Sequence, residues 1–166
     1  MLFRSIDSPS EHPRHLFALG ESMGAGIALQ SAAVEPRIEA VVAEAPFASL
    51  REASYDYAGL RRSPFLGKTL FAPGTWTMIY HAERLAGLPA SEVSPEKAVA
   101  VRAFPVLLIC DADDVALPCR HTRRIFEAAR GRKELWIVPG AYHTAAQGTQ
   151  PDEFRRRVLA FYESAR

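Results

Sequence analysis

The chain has 166 residues, 48% of them hydrophobic and 23% charged, with a net charge of +1. That length holds one domain with a sizeable core, and that composition excludes a disordered chain. The near-neutral balance gives no reason to expect nucleic acid or an anionic membrane as a partner, and no apolar run approaches the ~20 residues of a membrane helix.

In chain order, residues 1–14 read as a helix remnant or a loose arm. The charges within Met1–Asp7 come too early for a secretory leader. The apolar run His15-Leu16-Phe17-Ala18-Leu19 predicts a strand over about 16–20. Gly20-Glu21-Ser22-Met23-Gly24 follows, then a small-residue helical pattern over about 23–34. Strand, sharp turn and helix with a serine at the apex is the context of a G-x-S-x-G nucleophile elbow. The serine is expected in a strained conformation that lifts its hydroxyl clear of the sheet. Glycines are expected on either side because side chains there would collide with the neighbouring strand and helix. Average glycine and serine usage produces this motif by chance in roughly 5% of chains this long, so an incidental serine in a tight turn competes.

A second strand is predicted over 38–44, ending at Glu44. The segment 45–104 then breaks the rhythm. It is rich in aromatic and apolar residues, among them Phe47, Tyr55, Tyr57, Phe71, Trp76 and Tyr80, with turns at Ser63-Pro64, Ala72-Pro73-Gly74 and Leu88-Pro89. Segments this long without a strand usually carry helices of their own or a function.

A third strand is predicted over 105–111. Val106-Leu107-Leu108-Ile109-Cys110 runs into Asp111-Ala112-Asp113-Asp114, with Pro118 beyond. A helix over about 119–129 and a fourth strand over about 134–138 follow. That strand runs into Pro139-Gly140-Ala141-Tyr142-His143, and a last helix is predicted over 151–164. Pro151 suits its first turn, with Asp152 and Glu153 favourable beside the dipole. All four strands are continuous apolar runs, as in a parallel sheet covered on both faces. Strand–helix alternation gives an α/β fold, a mostly parallel sheet with flanking helices. Each candidate catalytic residue lies just past the C-terminal end of a strand, in the order Ser, Asp, His.

On these residues the chain resembles the α/β-hydrolase serine hydrolases, the broad group with esterases, acyltransferases and serine aminopeptidase-like members. The resemblance runs from about Leu16 to the C-terminus. It implies a catalytic triad of Ser22, Asp114 and His143, and an oxyanion donor in the N–H of Met23. It implies no cofactor and no metal. It also implies a cap over the active site, which places a helical cap insertion at 45–104 within one domain, 1–166. The activity implied is cleavage of an acyl bond, a carboxylic ester foremost, in a small-molecule substrate. With Pro118 as anchor, the family's Gly-x-x-Asp-x-x-x-Pro pattern puts the acid at Asp114. If Cys110 takes the glycine position, the acid is Asp113.

The chain departs from that pattern in one respect. Only 21 residues precede Ser22, where the family has several strands and the loop that carries the second oxyanion donor. No His-Gly-Gly-like segment lies upstream. This leads to the expectation of the C-terminal part of an α/β-hydrolase fold: a fragment, a chain completed by a partner or homodimer through an open sheet edge, or a minimal form. A non-catalytic interaction domain is the rival from another class. A nucleotide-binding module is a third, with Glu44 as the ribose-binding acid, although the glycine spacing is G-x-x-x-G-x-G.

The three clustered aspartates lack EF-hand spacing. Cys110 reads as a core residue and Cys119 as a helix-start residue, too few for a disulfide scaffold. A reducing cytoplasm is the default. His12, His15, His81 and His121 are expected at the surface or at helix ends.

Overall fold

The computed structural model describes residues 14–58 and 64–165. The N-terminal arm and His12 lie outside these residues, apart from Arg14. Four strands, β1 (Leu16–Glu21), β2 (Ile38–Glu44), β3 (Val106–Asp111) and β4 (Lys133–Val138), form one sheet. Their order is β1-β2-β3-β4, and every neighbouring pair is parallel. Each strand lies within a residue of the span that its apolar run predicts.

The period-two alternation of a strand sorts the core into two layers. On one face, Val41 and Ala43 of β2 and Val106 and Leu108 of β3 meet the helix α1 (Met23–Val34) through Ala25, Ala28, Leu29 and Ala32. On the other, Ala40, Val42, Leu107 and Ile109 meet Phe154, Val158 and Phe161. Those three belong to α8 (Pro151–Glu163), the last helix. Burial on both faces is why β2 and β3 read as continuous apolar runs rather than alternating ones.

The segment 45–104 divides in two. Three helices, α2 (Leu50–Ala58), α3 (Pro64–Lys68) and α4 (Ala72–Ala86), pack on one another beside the C-terminal ends of the strands. The fourth, α5 (Pro95–Val101), belongs instead to the layer on the sheet. Its Val99 is buried in the same core cluster as Leu29 of α1 and Ile125 of α6 (Arg120–Ala128). A short helix, α7 (Ala146–Thr149), lies between β4 and α8.

The two cysteines are not independent. Cys110 at the end of β3 is bonded to Cys119 at the start of α6, with Cα atoms 5.5 Å apart. Cys110 is a core residue, as expected, but Cys119 is not a separate thiol. The bridge closes the loop that carries the three aspartates.

Among the described residues, no helix is long and apolar enough to cross a membrane.

Candidate active site

The parallel sheet brings the ends of β1, β3 and β4 to one edge, and the Ser22, Asp114 and His143 side chains converge there. Ser22 follows β1 at φ 51° and ψ −114°, a left-handed conformation that a side chain rarely adopts. Its N–H donates to the carbonyl of Glu44 at 2.9 Å, which ties the turn to the end of β2. A Cβ on Gly20 would lie 2.3 Å from the carbonyl oxygen of Gly24, so the first glycine is required by a close backbone approach. The second is not: nothing lies within 4 Å of where a Cβ on Gly24 would stand. The expected collision therefore holds at one flank of the serine only.

Asp114 is buried in the loop between β3 and α6. Its Oδ1 accepts the N–H groups of Ala116 at 2.7 Å and Leu117 at 2.9 Å. Its Oδ2 stands 2.6 Å from Nδ1 of His143. The other ring nitrogen, Nε2, stands 2.8 Å from Oγ of Ser22. A carboxylate only accepts, so Nδ1 carries the proton and Nε2 is left to accept from the serine hydroxyl. Asp113 is exposed, and its backbone N–H donates to the carbonyl of Ala141. The imidazole meets Asp114, not Asp113.

Met23 opens α1, and its N–H lies in the first turn, where backbone donors have no partner within the helix.

Among the described residues, two more have positive φ without being glycine: Ala45 at 47° after β2, and Thr144 at 57° after His143. Together with Ser22 they flank the same edge of the sheet. Backbone strain of this kind concentrates at functional sites.

The aspartates do not form a common cation site. Asp111 turns under the sheet edge and accepts the N–H of Thr144 at 2.8 Å, Asp113 faces solvent and Asp114 faces His143. Glu44 does not face the cleft as a ribose-binding acid would. It is 1% exposed, and its Oε1 accepts the N–H of Ala146 at 2.9 Å. Burial, more than any neighbouring charge, raises the pKa of Glu44 to about 7 and that of Asp111 to about 6.

His121 takes the helix-end placement of the two that were expected, but it is not at the surface. It is fully buried at the start of α6. Its Nδ1 accepts the N–H of Ala48 at 3.3 Å, which leaves Nε2 as the donor to Oδ2 of Asp56 at 2.8 Å. Burial holds its pKa below the usual imidazole range. Glu52, Asp56 and His121 have potential ligand atoms within 4.8 Å of one another. Those atoms are already engaged by Arg124 on Glu52 and by Arg120 on Asp56. The group is an ion-pair network that fastens α2 to α6. Sequence could not pair residues 65 positions apart on two helices.

A cavity of about 650 Å³ opens beside Ser22. Phe47, Leu50, Ala53, Tyr57, Phe71 and Met78 are among the residues of its wall, and none of its lining residues carries a charge.

No family model matches the chain. Over 152 residues it is 28% identical to "Uncharacterized protein YqkD" of Bacillus subtilis (strain 168), an alignment that takes in 87% of this chain and 47% of that protein. The esterase Pf2001 of Pyrococcus furiosus superposes with a TM-score of 0.71 at 19% identity, over 98% of this chain and 58% of that one. Acetyl xylan esterase 1 of Thermoanaerobacterium sp. JW/SL YS485 superposes with a TM-score of 0.66 at 20% identity, over 95% and 49%. The chain thus spans about half the length of the curated relative it matches. With its four parallel strands, its flanking helices and these neighbours, the chain has the α/β-hydrolase fold.

Proposed function

We propose that the chain is a serine hydrolase that cleaves carboxylic esters through an acyl-serine intermediate. The observation that carries this reading is the continuous relay Ser22 Oγ to His143 Nε2 at 2.8 Å and His143 Nδ1 to Asp114 Oδ2 at 2.6 Å. In this reading Ser22 attacks the carbonyl carbon while His143 removes the hydroxyl proton. Asp114 holds the imidazole in the required tautomer and stabilises the imidazolium. The N–H of Met23 donates to the oxyanion. His143 then gives the proton to the leaving alkoxide, and a water deprotonated by the same imidazole hydrolyses the acyl-serine.

The uncharged cavity beside Ser22 supports an apolar acyl group as the part held by α2 and α4. Residues 45–104 then divide into a cap, α2 to α4, and the sheet helix α5. In this reading, no cofactor or metal enters the reaction. The partner is a small acyl substrate, with a second copy of the chain pairing at the β1 edge.

The setting we assign is the cytoplasm, in which the Cys110–Cys119 bridge of the structure would stand reduced. Its check is the redox state of the two cysteines in cells, because a bridge that persists there belongs to an oxidising compartment and would overturn the assignment. Hydrolysis of p-nitrophenyl esters, together with fluorophosphonate labelling of Ser22, tests the function. An unlabelled Ser22 in a folded protein would favour the interaction-domain reading. That reading draws on Met23 being the one oxyanion donor assigned from the sequence.

A further inference from the structure

Glu44 and Asp111 are two acids buried together under the turn that carries His143, and the mechanism above uses neither. Their placement follows from strand alternation. Glu44 ends β2 on the face of Ala40 and Val42, and Asp111 ends β3 on the face of Leu107 and Ile109. Both therefore point to the α7–α8 side. Each is 1% exposed.

Each carboxyl group spends one oxygen on the turn after His143. Oε1 of Glu44 accepts from Ala146 N–H at 2.9 Å, and Oδ2 of Asp111 accepts from Thr144 N–H at 2.8 Å. The remaining oxygens, Oε2 of Glu44 and Oδ1 of Asp111, are buried without a hydrogen-bond partner. The two acids end neighbouring parallel strands, with Glu44 in register with Ile109, two positions before Asp111, so both side chains stand side by side on the same face. Two carboxylates can only accept, so as a pair of anions they would leave both oxygens unsatisfied and repel at close range. One proton between them turns two orphaned acceptors into a donor and an acceptor.

We propose that Glu44 and Asp111 share one proton and act as a single unit, a positioning device that fixes the 143–146 turn and through it the imidazole of His143. The charged groups that act on the pair from its surroundings are Glu21 at the end of β1 and Asp114 in the loop after β3. Both are acids, and both favour retention of the proton. The imidazole of His143 rides on the turn that the pair holds. The raised pKa values of the two acids point the same way.

The catalytic consequence rests on the proposed function, but the proton itself does not. The test therefore has two separate readouts. The first is the carboxylic-acid carbonyl band in the infrared spectrum at pH 6, where solvated carboxylates are ionised. A protonated carboxyl is expected in the wild type and is expected to vanish in Glu44→Gln and in Asp111→Asn. The second is the pH profile of ester hydrolysis. Glu44→Ala is expected to lower kcat on the order of 10²-fold through a displaced imidazole. Glu44→Gln, whose amide donates to Asp111 and accepts from Ala146, is expected to restore it. It is also expected to remove the alkaline loss of activity that the wild type shows as the pair gives up its proton.

Absence of the protonated carboxyl in the wild type would overturn the proposal, and so would an alkaline limb unchanged in Glu44→Gln. If Ser22 is never labelled by a fluorophosphonate and the band is present, the hydrolase reading fails and the proton-sharing pair stands.

Discussion

His143 Nε2 stands 2.8 Å from Ser22 Oγ, although 121 positions of sequence separate the two residues. The parallel sheet makes this meeting. Ser22 leaves the end of β1, His143 leaves the end of β4, and both strand ends lie on one edge. Asp114, from the end of β3, completes the line on the far side of the ring.

Ser22→Ala is expected to abolish covalent labelling by a fluorophosphonate while leaving the fold intact. Ser22 is only partly buried, and its side chain contributes a hydroxyl rather than packing. Equal labelling of wild type and variant would remove Ser22 from the nucleophile role. Far-UV circular dichroism on both proteins separates loss of the nucleophile from loss of the fold.

Asp114→Asn is expected to lower kcat by up to ~10⁴, because an amide at Oδ2 permits the wrong imidazole tautomer. Asp113→Asn is expected to change little, since that side chain is exposed and the local bond comes from its backbone. Steady-state rates on one p-nitrophenyl ester rank the two variants. A larger loss in Asp113→Asn would transfer the role.

The cavity makes a prediction about chain length. Gly74 lines it from α4, and nothing lies within 4 Å of where its Cβ would stand. Gly74→Leu should therefore fill part of the cavity without distorting α4. Hydrolysis of octanoyl esters is expected to fall by 10-fold or more, while acetyl esters change little. A hydrophobic pocket discriminates by ~1–3 kcal/mol per methylene, which sets that scale. The ratio of kcat/KM values for the two esters is the measurement. A ratio unchanged by the substitution would place the acyl chain elsewhere.

Much of this arrangement could be read from the chain because it is locally encoded. The runs beginning near Leu16, Ile38, Val106 and Lys133 are dominated by apolar residues, most completely in β2 and β3, where both faces are covered, so strand spans were legible to within a residue. Ser22, Asp114 and His143 were legible because each follows such a run in a fixed order. The supporting contacts were not. Nothing in the local pattern at His121 announces that its ring is buried against Asp56, since that contact joins two helices from different layers. The sequence presents Glu44 as a strand-end acid and Asp111 as one of three clustered aspartates; only the alternation of β2 and β3 shows that both turn to the same covered face. Helix α5 follows the cap directly in sequence, and nothing local sets its layer apart from that of α4. Its Val99 belongs to the core beneath α1.

The last prediction concerns β1, which forms one edge of the sheet among the described residues. An edge strand offers unpaired backbone groups to another chain, and natural edges are commonly blunted by lysine or proline. Here β1 reads Leu-Phe-Ala-Leu-Gly-Glu, with no charge before its last residue. Helix α8 protects part of it: Tyr162 donates to the carbonyl of Ala18 at 2.7 Å and stacks on Phe17 at 4.7 Å. Leu19 remains 47% exposed, and Ile27 of the adjoining helix is 50% exposed. The 166-residue chain in isolation is therefore expected to associate through this edge, as dimers or as larger species that grow with concentration. Leu19→Lys should shift it towards monomer, because two lysines brought together across a shared edge repel. Sedimentation velocity over a range of concentrations, at low and high salt, measures both effects. Added salt should partly restore association in the variant by screening the lysines. A wild-type chain that sediments as a monomer at every concentration would show that α8 and the β1 side chains already cover the edge.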